Sequence, residues 1–91
     1  ELPNGYQYNV NTYELIYDSR VIPLSSRESE ILNIFIIHRN QIVSLEILYD
    51  QVWNNNVDSA NARVQINSLR RKLPKDLIKN IYGVGYRLDC K

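Results

Sequence analysis

The chain has 91 residues, 44% of them hydrophobic, and a formal net charge of +1, which fits one folded domain (residues 1–91) rather than a disordered segment or a catalytic domain with appendages. Its single cysteine, Cys90, and single histidine, His38, exclude an internal disulfide and a multi-cysteine zinc site. No apolar run approaches the roughly 18–20 residues that span a bilayer. The expectations are therefore no membrane insertion, no metal, no cofactor and a reducing cytoplasmic setting. Because the sequence starts at Glu1 without a methionine, it is expected to be a piece of a longer protein, with residues 1–5 as linker.

Residues 6–24 are rich in β-formers and broken by turn residues. Tyr6-Gln7-Tyr8-Asn9-Val10, Tyr13-Glu14-Leu15-Ile16-Tyr17 and Arg20-Val21-Ile22 read as two or three short antiparallel strands. Pro23 cannot donate to a ladder, so the last strand is expected to be short or at an edge. The tyrosines suit half-buried strand faces better than a base-stacking platform. Ser25-Ser26-Arg27-Glu28 has capping-box spacing, and a helix over residues 26–38 would bury Ile31, Leu32 and Phe35. His38 falls at its end, where interaction with the last carbonyls is favourable.

After Arg39-Asn40-Gln41, Ile42-Val43 forms a brief extended piece. Ser44 caps a second helix in which Leu45, Leu48, Tyr49 and Val52 recur at helical spacing and Trp53 closes the run. Asn54, Asn55, Asn56, Val57 and Asp58 read as a surface loop. Asp58 or Ser59 then caps a third helix over residues 59–73, ended by Pro74. Two strand-like runs within residues 78–88 flank Gly83-Val84-Gly85, whose glycines allow the positive φ of a hairpin tip.

The third helix carries the most information. At about 100° per residue, Ala62, Ile66, Leu69 and Leu73 form one stripe. Ala60, Val64, Asn67, Ser68 and Arg71 lie opposite, with Asn61 and Gln65 on a flank. One side packs and the other is free to read a DNA groove. Charge is partitioned the same way. Residues 1–58 hold three arginines against eight acids, net −5, and residues 59–91 hold eight basic residues against two acids, net +6. Such asymmetry points to a polyanionic partner for the C-terminal half.

Strands, a capped helix, a short capped helix, a loop, a basic helix and a Gly-tipped hairpin make an α+β winged helix-turn-helix: an N-terminal antiparallel sheet, three helices and a C-terminal wing. Within that class the ordered set Leu24-Ser25, Glu28, Ile31-Leu32, Val43-Ser44, Leu48, Val52-Trp53, Leu69-Arg70-Arg71-Lys72-Leu73 and Gly83-Val84-Gly85-Tyr86-Arg87-Leu88 resembles the C-terminal effector domain of OmpR/PhoB-type bacterial two-component response regulators. The resemblance covers residues 6–88. It implies a transcription-regulating output domain joined to an upstream receiver domain on which a cognate sensor kinase acts. It also implies dimers on tandem half-sites of double-stranded DNA in the full-length protein, with the isolated domain able to remain a monomer.

Mapped by that resemblance, the helix at 59–73 enters the major groove and the wing at 78–88 meets the adjacent minor groove or its phosphates. Asn61, Val64, Asn67 and Ser68 are the expected base readers. Trp53, Arg70, Arg71, Lys72, Tyr82 and Arg87 are the expected phosphate or wing contacts. Asn54, Asn55, Asn56, Val57 and Asp58 form the loop that can contact RNA polymerase. For Trp53, core packing is an equal expectation, and for Tyr86 it is the favoured one. About four phosphate contacts, from Arg70, Arg71, Lys72 and Arg87, give a log–log salt slope of roughly −3 to −4.

The chain departs from the family pattern at several places. Ala60 and Arg63 stand where arginine and aspartate are usual, Ser29 where an aromatic is usual, Gln65 where histidine is common, and Tyr82 where arginine often precedes the wing glycine. An enzyme is not expected: Gly83-Val84-Gly85 lacks a third glycine and leads into a strand, so it cannot cradle a dinucleotide. The competing reading is a winged helix that binds an acidic protein surface without specific DNA binding.

Overall fold

A computed structural model describes residues 2, 5–74 and 76–89. Glu1, Lys75, Cys90 and Lys91, which enter the charge and cysteine readings above, lie outside the described residues, as does part of the expected linker. The elements run β1 (Tyr6–Asn9), β2 (Glu14–Tyr17), β3 (Arg20–Ile22), α1 (Ser26–Ile37), β4 (Ile42–Ser44), α2 (Leu45–Trp53), α3 (Ser59–Arg71), β5 (Ile78–Ile81) and β6 (Gly85–Leu88).

The first three strands form an antiparallel sheet in chain order, with β3 at an edge beside Pro23. Tyr8, Leu15 and Ile22 align across it and turn toward the core, where Leu15 is fully buried. Tyr6 and Tyr17, directly opposed, stack at 4.4 Å. Leu2, placed in a linker from the sequence, instead packs into the core at 7% exposure, and its N–H donates to the Tyr6 carbonyl. An apolar side chain beside an open sheet end gains by burial.

All three helices begin on side-chain caps. Ser25 Oγ accepts from the Glu28 N–H while Glu28 Oε1 accepts from the Ser25 N–H, closing the capping box. Ser44 Oγ accepts from the Ile47 N–H, and Asp58 Oδ1 accepts from the Asn61 N–H. At the end of α2, Asn54 takes a left-handed conformation with φ 55°, one of the few non-glycine residues to do so readily. That turn lets the chain swing from α2 into α3 within a short loop. Phe35, Ile31 and Leu32 of α1 join Leu48 of α2, Ile66 and Leu69 of α3 and Leu88 of β6 in one core.

The second sheet has the order β4-β6-β5. The brief extended piece at Ile42-Val43 is therefore a true strand, pairing antiparallel with β6 in the register Val43↔Tyr86 and Ser44↔Gly85. This pairing gives the two glycines different reasons to exist. Gly83 holds φ +77° at the hairpin tip with open space around it, as a turn requires. Gly85 has no positive φ; a Cβ there would be driven into the Val43 carbonyl oxygen and to within 2.8 Å of Ser44 Cα. The need at Gly85 is close approach to β4, not turn geometry.

In urea unfolding, Gly85→Ala should cost about 3 kcal/mol, because backbone atoms must shift to admit the methyl group. Gly83→Ala should cost about 1–2 kcal/mol, the penalty of a left-handed alanine. Equal losses at the two positions would contradict the close-approach explanation.

Candidate nucleic-acid interface

Helix α3 is wedged between two sets of contacts that fix which of its faces is free. Ala62, Ile66 and Leu69 are fully buried, and Leu73 follows them inward. Ala60, Asn61, Arg63, Val64, Asn67 and Arg71 are exposed, with Val64 at 60% despite being apolar.

One flank of α3 is tied to α1. Ser68 Oγ–H donates to Glu28 Oε2 at 2.5 Å and Lys72 Nζ donates to Glu28 Oε1 at 2.7 Å and to the Pro23 carbonyl at 3.0 Å. Glu28 is only 2% exposed. Burial opposes its ionisation, yet hydrogen bonds from Lys72, Ser68 and the Ser25 N–H, aided by the Lys72 charge, outweigh it and hold the carboxyl below its ordinary pKa. The opposite flank is tied to β6. Arg70 places its guanidinium 5.8 Å from the centre of the Tyr86 ring, and Tyr86 in turn meets Phe35 edge-on at 6.4 Å. Tyr86 is 3% exposed, as its expected packing role requires.

The residues expected to touch nucleic acid thus separate. Asn61, Val64, Asn67 and Arg71 share the exposed side of α3. Ser68 and Lys72 are placed differently, with the hydroxyl and the ammonium both hydrogen-bonded to Glu28. Arg70 is half-buried against Tyr86 and shares a 3.5 Å contact with Asn67 Oδ1. Arg87 is paired with Asp89 at 2.5 Å, and Lys79 joins the same carboxylate at 3.3 Å. Among the described cations after residue 58, only Arg63 and Arg71 have neither an ion pair nor a hydrogen bond.

At the other positions, Tyr82 stands 95% exposed at the hairpin tip, with Val84 beside it at 53%. Trp53 is half-buried and packs on the core at the end of α2. Within the α2–α3 loop, Asn54, Asn55 and Asn56 are exposed, Val57 is half-buried, and Asp58 is committed to capping α3. The sequence reading missed Glu28 as the shared acceptor and Arg63 as a free cation. The signal for the first was the i, i+4 pair Ser68/Lys72 on a single flank. Among the described residues, no cluster of three or more His, Cys, Asp or Glu side chains can hold a metal ion, and no helix is long and apolar enough to cross a membrane.

A profile described as "Transcriptional regulatory protein, C terminal" matches residues 19–88. The chain belongs to this family. The family is one of transcriptional regulatory proteins. Among curated relatives, the regulatory protein VanRB of Enterococcus faecalis is 34% identical over 79 residues, covering 85% of this chain and 36% of its own length. The transcriptional regulatory protein QseB of Haemophilus influenzae is 29% identical, over 92% of this chain and 39% of its own. The chain therefore spans about two fifths of such relatives. Among solved structures, the DNA-binding domain of Bacillus subtilis CssR is 29% identical with a TM-score of 0.78, covering 91% of this chain and 98% of that one. The DNA-binding domain of Escherichia coli CpxR is 26% identical with a TM-score of 0.83, covering 99% and 94%. The winged-helix arrangement is thus the family fold.

Because the Glu28 pKa is lowered on folding, its ionised form stabilises the domain above the ordinary carboxylate pKa. That contribution is lost as pH falls through the depressed folded value. Glu28→Gln should therefore cost about 1–3 kcal/mol at pH 7, and the gap from the unmodified chain should narrow as urea titrations are moved below about pH 4. A gap that stays constant with pH would contradict the ionised clamp.

Proposed function

We infer that this chain is the DNA-binding output domain of an OmpR/PhoB-type response regulator. The observation that carries this is the exposed side of α3, which presents Val64, Asn67 and Arg71 outward while Glu28 and Tyr86 hold both flanks. Helix α3 enters the major groove and the β5–β6 hairpin meets the adjacent minor groove or its phosphates. Val64 packs on a thymine methyl, and Asn67 or Asn61 pairs with adenine through two hydrogen bonds. Asn61 also lies 3.4 Å from Asp58 Oδ2, which orients its amide. Arg71, exposed and unpaired, contacts phosphate, and Arg70 reaches the same strand from its seat on Tyr86. Such contacts set affinity and register rather than preference.

Tyr82 offers a hydroxyl and not a cation, so the hairpin tip reads the minor groove weakly. Trp53 serves the core first, with its indole N–H available to a phosphate. The longer protein carries a receiver domain phosphorylated by a sensor kinase, dimerises on tandem half-sites and works in the cytoplasm; Asn54, Asn55 and Asn56 offer the exposed amides for contact with RNA polymerase.

Selection from a randomised duplex pool, followed by anisotropy titrations of the winner and a scrambled control, tests the reading. With Lys72 paired to Glu28 and Arg87 to Asp89, Arg70 and Arg71 account for about two phosphate contacts, a contribution of about −2 to the salt slope. Arg71→Ala should make the slope shallower by about one. Val64→Ala should change the preferred sequence and leave the slope alone. Equal, salt-labile binding to winner and control would contradict specific recognition and favour a protein-binding winged helix.

A further inference from the structure

A cleft of about 410 Å³ separates α3 from the hairpin, lined by Arg63 on α3, Leu45 at the start of α2, and Asn80, Tyr82, Val84 and Tyr86 on the hairpin side. Arg63 is the only cation among its lining residues, and no carboxylate lines it. Seven residues separate Arg63 from Arg70, so at about 100° per residue both lie on the hairpin-facing flank of α3. They differ in one respect. Arg70 is seated on Tyr86, whereas Arg63 is exposed and makes no ion pair or hydrogen bond among the described residues.

The position of this cleft gives its cation a partner. A helix in the major groove and a hairpin at the neighbouring minor groove straddle the one sugar–phosphate strand that divides the two grooves. Whatever lies between helix and hairpin faces that strand. We propose that Arg63 is a phosphate-binding residue that seats the dividing strand and fixes the wing against it. This rests on the duplex-binding reading above. The ligand is a backbone phosphodiester, which a guanidinium meets with two parallel N–H donors, and the exposed Tyr82, which lines the same cleft, carries a hydroxyl that can donate beside it. Since phosphates carry no base identity, Arg63 contributes affinity and register and leaves sequence preference to Val64 and Asn67.

The test uses the full chain, its selected duplex, and duplexes carrying a neutral methylphosphonate at one phosphate at a time. Arg63→Ala should weaken binding about tenfold, the scale of one charge-assisted hydrogen-bonded contact. It should also make the salt slope shallower by about one without changing the recovered sequence, and Arg63→Lys should restore part of both. One methylphosphonate position should weaken the unmodified chain and leave Arg63→Ala indifferent. Because Arg63 has no partner in the fold, its urea midpoint should match that of the unmodified chain, which separates the effect from misfolding. Unchanged affinity and slope in Arg63→Ala would overturn the proposal while leaving duplex binding intact, and so would an altered sequence preference at constant slope. Failure of the unmodified chain to prefer any duplex would instead remove the reading on which the proposal stands, and the proposal with it.

Discussion

The arrangement of the domain turns on one buried carboxylate. Glu28 completes the cap of α1, accepts from Ser68 and Lys72 on α3, and through Lys72 is joined to the Pro23 carbonyl at the exit of the first sheet. The start of α1 and the far end of α3, 40 and more positions apart, meet on its two oxygens. A carboxylate this buried is tolerated only when its lone pairs are filled, so α1 and α3 hold one another in register, and Lys72 carries the link on to Pro23. For α3 this sets the roll about its own axis. Ser68 and Lys72 pull one flank toward α1, Arg70 leans the other onto Tyr86, and the arc between them, with Val64, Asn67 and Arg71, can only face outward. A one-residue slip would turn the helix by about 100° and bury the valine's polar neighbours.

The same contacts sort the basic residues by task. By composition the C-terminal half is strongly cationic, yet Lys72 is drawn onto Glu28, Arg87 and Lys79 share Asp89, and Arg70 lies against an aromatic ring. Charge that is already paired contributes less to a polyanion than its formal count implies. Two arginines, Arg63 and Arg71, keep their charge free, one beside the hairpin and one on the outward arc. The free charge on the described surface therefore depends on placement more than on the total charge of the C-terminal half.

How much of this was legible in the sequence follows the range of the interactions. Ser25, Ser44 and Asp58 announce their helices because a cap acts within one turn. Ala62, Ile66, Leu69 and Leu73 announce the packing stripe because helical periodicity is local. The strand at Ile42–Ser44 shows only as an extended fragment, since three residues carry no period and its partner lies more than 40 positions away. For that reason Gly85 looks like a turn glycine when it is a spacing glycine. Ser68 and Lys72 sit 40 and 44 residues from Glu28, so projection onto a helical wheel leaves them beside the readers. Arg63 shows in the sequence only as a departure from the family pattern; that it stays unpaired while Lys72, Arg70 and Arg87 are engaged is set by contacts between distant segments.

The most direct measurement is an NMR titration of the isotopically labelled chain with its selected duplex, following backbone amides together with the side-chain resonances of Lys72 and the asparagines. Binding through the outward arc predicts the largest shifts at Val64, Asn67 and Arg71 and at the hairpin tip around Tyr82, with the Lys72 ammonium resonance unmoved because it stays on Glu28. Shifts centred on the β1–β3 sheet, or a displaced Lys72 signal with α3 otherwise silent, would contradict the claim that Glu28 holds α3 with its reading face outward.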